Sequence, residues 1–216
     1  MALLNVMRQI GAGFGSTLII FFFTLLFSMP LGVLVALGRM SKFKPLSLLI
    51  QAIISVLRGT PLMLQLIVVF YGPYYLFGTK LSTSWRLYAT LIGFSINYSA
   101  YFAEIFRAGI QSFPVGQTEA AVVLGYTKVQ TFLKIIFPQM IKRTIPPVTN
   151  EVITLVKDTS LAFVLAYQEM FTYAKQVSSA MSSLMPLFVA GLFYYLFNLV
   201  VTIAMDQIEK ALGYYN

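Results

Sequence analysis

The chain has 216 residues, of which 58% are apolar, 15% aromatic and only 10% charged, with a formal net charge of +8 and neither cysteine nor histidine. Soluble domains carry about 25% charged residues, so this chain cannot cover a water-facing surface and its composition is that of a membrane protein. The missing residue types exclude disulfides, thiol nucleophiles, Ser-His triads, Cys/His zinc sites and His-ligated haem, and the basic excess points to cytoplasmic loops rather than to nucleic acid.

A membrane-spanning helix needs roughly 20 apolar residues. Residues 9–38 are free of charge, and the first span is placed at 14–38. The N-terminus lacks a basic cluster before a short apolar core and lacks a cleavage site, so this span is read as a retained anchor. The second span, 46–77, is interrupted by Arg58-Gly59-Thr60-Pro61. Pro61 is expected to break it, with Thr60 as the cap and Pro61 as the first residue of the second half. The third span is placed at 86–108, a cytoplasmic loop at 112–140, the fourth span at 144–167 despite Glu151, Lys157 and Asp158, and the fifth at 184–206.

An odd number of spans puts the termini on opposite sides. One set of connections holds Arg39, Lys42, Lys44, Arg107, Lys128, Lys134, Lys142, Arg143 and Lys210, the other only Arg8, Lys80, Arg86 and Lys175. The positive-inside rule then places the N-terminus outside and the C-terminus in the cytoplasm. The inner loop has a good helix former over Gln117 to Leu124, with Gly116 or Thr118 as its start, punctuated by Gly125 and Pro138. It reads as two short helices lying along the inner membrane face. There is no internal repeat, and residues 1–216 read as a single transmembrane domain.

Polar residues inside the spans are the candidates for function. Each ionised side chain at the bilayer centre costs roughly 2.5–3.5 kcal/mol, so Arg58, Glu151, Lys157 and Asp158 must either pair or face water. Glu151 and Asp158 lie seven apart, on one helical face about two turns apart, with Thr154 between them. Asn97, Tyr101 and Glu104 make a second polar stripe at i, i+4 and i+7, and Glu104 stands three residues before Arg107, a spacing that also suits a plain ion pair. A half-helix N-terminus beside Pro61 would offer free N–H groups to a carboxylate. The residues assigned to a substrate site between the second, third and fourth spans are therefore Arg58, Gly59, Thr60, Asn97, Tyr98, Tyr101, Glu104, Glu151, Thr154, Asp158, Ser160 and Leu161. No catalytic residue and no metal site is expected.

The inner loop carries the most specific pattern. Glu119-Ala120-Ala121, then Gly125, Ile135 and Pro138 resemble the EAA loop of bacterial ABC importer permeases, with Phe137 where that pattern usually has Leu. Arg58-Gly59-Thr60-Pro61-Leu62, Gln65, Ala103-Glu104-Ile105-Phe106-Arg107-Ala108-Gly109-Ile110, Pro138-Gln139, Asn150-Glu151 and Lys157-Asp158-Thr159-Ser160-Leu161 extend the resemblance to the polar amino-acid subfamily, over nearly the whole chain. The resemblance implies an all-α integral membrane protein of five transmembrane helices with the type I ABC importer (MetI-like) permease fold, in a bacterial inner or plasma membrane. It implies a coupling loop of Gly116, Glu119, Ala120, Ala121, Gly125 and Pro138 that meets a separate ATP-binding subunit in two copies. The implied partners further include a second permease half, taken as identical, an extracytoplasmic amino-acid-binding protein, the amino-acid substrate and the lipid bilayer, with no nucleic acid.

No Gly-Lys pair occurs in the chain, so a Gly-x-x-x-x-Gly-Lys-Ser/Thr phosphate loop is absent. ATP and Mg would be bound by the partner, which would hydrolyse the ATP, and no cofactor is expected on this chain. The intramembrane acids favour a basic substrate such as arginine, lysine or histidine, with glutamine or another neutral polar amino acid as the alternative. A channel, or a membrane scaffold or sensor that binds an ATPase without moving solute, are the readings from other classes.

Overall fold

The computed structural model describes residues 2–212, and among them there are helices but no strand. A short helix α1 (Ala2–Gly11) turns at Ala12-Gly13 into α2 (Phe14–Arg39). The first of these was not expected from sequence. It is held by tertiary contact, with Val6 and Ile10 buried against Met170, Ala174, Val189 and Ala190. On α2 one face, including Ile20, Phe21, Thr24, Ser28 and Gly32, is buried, while Phe22, Phe23, Leu26 and Phe27 are exposed. An exposed aromatic and aliphatic face of this kind suits a lipid environment.

The second apolar stretch is two helices, α3 (Lys44–Gly59) and α4 (Leu62–Phe77), whose axes differ by 111°. Thr60 and Pro61 are both extended, as expected where a proline restricts the residue before it. Next comes α5 (Trp85–Gln111), the most enclosed helix, packed against α2, α3, α4 and the helix that bears Glu151. Its start is tied down by Trp85 Nε1 donating to Phe70 O (2.9 Å) and by Arg86 donating to Ala166 O (3.3 Å).

The inner loop contains α6 (Val115–Val123), with Pro114 in the capping position, so neither Gly116 nor Thr118 starts it. Pro114 forces the preceding backbone out of helix and pre-sets the first turn after it. Gly125, at φ +82°, ends the segment in the left-handed region open to glycine. A capping box between Thr127 and Gln130 then opens α7 (Lys128–Thr131). This runs through a π turn, Phe132–Ile136, into α8 (Phe137–Asp158). Pro138 therefore does not end a helix as expected. It sits in the first turn of α8, where its missing N–H is accommodated by the widened turn just ahead.

The expected fourth span at 144–167 is not one helix. α8 stops at Asp158, a tight 3-10 segment Thr159–Leu165 follows, and Ala166 turns the chain at φ 52°. Glu169 caps α9 (Met170–Met181), also unforeseen, before the long apolar α10 (Met185–Leu212). By length and apolarity alone, Leu3–Arg39 and Met185–Leu212 can cross a bilayer, with the bent α3–α4 pair as a third span. The more polar α5 and α8 pack against each other and against α2 and α10. At their contact a Cβ on Gly109 would run into Thr144 Cγ2, so only glycine permits this approach.

Candidate functional site

The bend between α3 and α4 is built from polar groups. Pro61 itself occupies the position before α4, and its carbonyl accepts from the N–H groups of Leu64 (3.0 Å) and Gln65 (3.3 Å). The N–H groups of Leu62 and Met63 precede the first intrahelical bonds, as at any helix start. Thr60 does not cap this helix as expected: its hydroxyl turns back and donates to Val56 O at 2.8 Å. The extended backbone at Thr60 and Pro61 leaves its side chain nearer the outgoing carbonyls of α3 than the incoming N–H groups of α4.

Arg58, on the last turn of α3, lies with its guanidinium 5.1 Å from the Tyr101 ring centroid, a cation–π arrangement. Both residues line a cavity of about 500 Å³ with Glu104, Arg107, Arg143 and Glu151. A second cavity of about 450 Å³ is lined by Arg39, Gln51, Ser55 and Gly59, and shares Arg58, Glu104 and Arg107 with the first. Glu104 and Arg107 form an ion pair at 2.6 Å, the sequence alternative for that spacing, and Arg107 also donates to Gln111 Oε1 (2.6 Å). Arg143 is engaged with Ser112 O and Oγ (both 2.7 Å) and lies over the Phe113 ring. No ion pair joins Arg58 or Lys157 to Glu151 or Asp158. Arg58 and half-buried Glu151 thus face the first cavity with opposite charges and no salt-bridge partner among the described residues.

Other assigned residues lie elsewhere. Asn97 is buried and its amide donates to Leu57 O (3.1 Å) and Gln65 Oε1 (3.0 Å), so it braces the bend instead of facing the cavity. Asp158 accepts a hydrogen bond from Tyr98 Oη at 2.7 Å, two turns along α8 from Glu151. Thr154 is half-buried between them. Ser160 donates to Lys157 O (2.7 Å), Leu161 packs against the main core, and Thr60 is exposed just past the end of α3.

On the inner loop, Gly116, Glu119, Ala120, Gly125 and Pro138 are exposed and Ala121 is buried. Val115, Val122, Val123, Leu124, Val129 and Leu133 are exposed beside them, an apolar surface of the sort that marks a protein contact. Sequence reasoning missed the ties that hold this loop. The Gln117 and Gln139 side chains exchange hydrogen bonds at 3.2 and 3.1 Å, linking α6 to α8. Their separation of twenty-two positions leaves no local pattern to notice.

A family model described as "Binding-protein-dependent transport system inner membrane component" matches residues 28–214, and the chain belongs to that family. Within it, the chain is a permease subunit of an amino-acid ABC importer, of the polar amino-acid subfamily, with the type I importer permease fold. The L-cystine transport system permease protein TcyB of Bacillus subtilis (strain 168) is 35% identical over 192 residues, covering 88% of this chain and 80% of that protein. The arginine transport system permease protein ArtQ of the same organism is 35% identical over 201 residues, covering 93% and 90%. A crystal structure of an amino acid ABC transporter with histidines contains a chain of 30% identity that superposes with a TM-score of 0.87, covering 97% of each chain.

Proposed function

We propose that this permease carries basic amino acids, and that Arg58, Glu151 and Asp158 mark their path. The observation that carries the reading is the cavity in which Arg58 and Glu151 stand without salt-bridge partners among the described residues. Arg58 takes the substrate carboxylate, Glu151 the α-ammonium group, and Asp158, about 10 Å further along α8 at 1.5 Å per residue, a cationic side chain. The net charge of these three groups is negative, so a basic substrate neutralises them and a zwitterion does not. The relative named for arginine transport and the solved transporter with histidines support this reading. The relative named for L-cystine favours a second one, a larger neutral substrate in the same cavity.

The loop of Gly116, Glu119, Ala120, Ala121, Gly125 and Pro138, all but Ala121 exposed, receives the push of a separate ATPase, in which ATP and Mg are bound. Two copies of this chain with two ATPases close the pathway around a two-fold axis, and an extracytoplasmic binding protein delivers substrate to the outer side. The loop basic residues support an outer N-terminus and an inner C-terminus. Closure of the ATPases moves α6, and through the Gln117–Gln139 pair α8, so that Glu151 passes between outward and inward exposure.

The test is ATP-dependent uptake of labelled arginine, glutamine and cystine into proteoliposomes holding the chain with its ATPase and binding protein. Arginine uptake resisting competition by glutamine and cystine, and lost in Glu151→Gln, is the expected result. Cystine or glutamine uptake at the expense of arginine would overturn the basic-substrate assignment, and full arginine uptake by Glu151→Gln would overturn the role of Glu151.

A further inference from the structure

The 111° turn between α3 and α4 leaves carbonyls of the last turn of α3 without the N–H donors a continuing helix would supply. Two side chains meet part of that deficit: the Thr60 hydroxyl donates to Val56 O and Gln65 reaches Leu57 O. Gln65, on the first turn of α4, donates from Nε2 to Leu57 O (2.8 Å), Thr60 Oγ1 (2.8 Å) and Thr60 O (3.2 Å). Its Oε1 in turn accepts from Asn97 Nδ2 on α5, and the same Asn97 nitrogen reaches Leu57 O. Leu57 is the residue before Arg58.

Asn97 and Tyr101 are four apart on α5, hence on one face. That face holds the end of α3 twice, through the amide pair on Leu57 O and through the ring beneath the Arg58 guanidinium. We propose that Gln65 is a positioning residue for substrate recognition: with Asn97 it staples the bend so that Arg58 is presented to the cavity it shares with Glu151. Gln65 touches neither cavity and does not meet substrate itself. The inference rests on Arg58 being the carboxylate partner proposed above.

The geometry also fixes what a substitute must do. An amide is the one side chain of this length that donates to Leu57 O and accepts from Asn97 at once. Methionine keeps the length and removes all of these bonds, so Gln65→Met separates the hydrogen bonds from the volume.

The experiment measures KM and maximal rate of ATP-dependent arginine uptake in proteoliposomes of the assembled transporter, for Gln65→Met, Arg58→Ala and the double variant. Gln65→Met is expected to raise KM about tenfold, the scale of one or two neutral hydrogen bonds, with a smaller fall in maximal rate. In the Arg58→Ala background the same change is expected to add less than about twofold, because two residues acting through one group are not additive. An equal rise in KM with and without Arg58, or no rise beside a large effect of Arg58→Ala, overturns the positioning role and leaves the Arg58 site standing. An unchanged KM in Arg58→Ala overturns the site itself and this inference with it. If Gln65→Met does not assemble, Thr60→Val, which removes one acceptor of the staple and keeps the side-chain shape, is read by the same criteria with a smaller expected rise.

Discussion

Glu169 is fully buried and accepts four hydrogen bonds, and its loss should measurably loosen the fold. Its Oε1 accepts from Thr172 N (2.6 Å) and Thr172 Oγ1 (2.8 Å), while Oε2 accepts from Phe171 N and Tyr194 Oη (both 2.7 Å). The carboxylate thus caps α9 and fastens it to α10, beside the Met170 N–H that reaches Thr17 Oγ1 on α2 at 3.4 Å. Removing an N-cap acceptor costs about 1–2 kcal/mol, and taking the acceptor from the Tyr194 O–H about 1 kcal/mol more. Glu169→Ala is therefore expected to cost about 2–3 kcal/mol, which for about 200 residues lowers the melting temperature by about 4–12 °C. Helical circular dichroism followed against temperature in detergent micelles reads this directly. Glu169→Gln keeps one accepting oxygen but turns an NH2 towards donors, so it should fall between wild type and Glu169→Ala. Tyr194→Phe, which removes one donor, should lose about 1 kcal/mol. A melting temperature for Glu169→Ala within about 1 °C of wild type, or a larger loss in Tyr194→Phe, would refute this reasoning.

Gly125→Val is expected to strain the turn after α6 by about 1–2 kcal/mol, because φ +82° is unfavourable for a β-branched residue; co-purification of the ATPase with the permease should fall. Gln117→Ala and Gln139→Ala should each weaken coupling of ATP hydrolysis to uptake, and the double variant should be no worse than about either alone, which a double-mutant cycle on the ATPase rate per arginine transported would check. Gly109→Val should push α5 from α8 at Thr144 and destabilise the chain by about 1–3 kcal/mol, read as a lower melting temperature in micelles.

Much of the fold is legible locally. The apolar run of α2 and α10, the break at Pro61 and the halt at Gly125 each follow from the residues present within a turn or two. The helices that were not foreseen, α1 and α9, are short and marginal by themselves. They are held by Ile10, Met170 and Ala174 packing together, and by a cap from Glu169 that also needs Tyr194 twenty-five positions away. The site divides the same way. The spacing of Glu151 and Asp158 places both on one helix, but only tertiary structure turns Glu151 into a cavity with Arg58 and gives Asp158 to Tyr98. The spacing of Asn97 and Tyr101 puts them on one face, while the bend they embrace is contributed by residues about forty positions earlier in the chain.

Sequence alone determined that this is a membrane protein and that no Gly-Lys pair occurs in these 216 residues, because charge content and short motifs depend on composition and neighbouring residues only. It also carried the amino-acid permease resemblance, since the inner loop lies within one contiguous segment. Tertiary structure decided which polar residues face open space and which are committed to holding helices together. A buried amide or carboxylate finds its hydrogen-bond partners wherever the fold brings them, and in this chain those of Gln65, Asn97 and Glu169 come from other helices as well as their own neighbourhood.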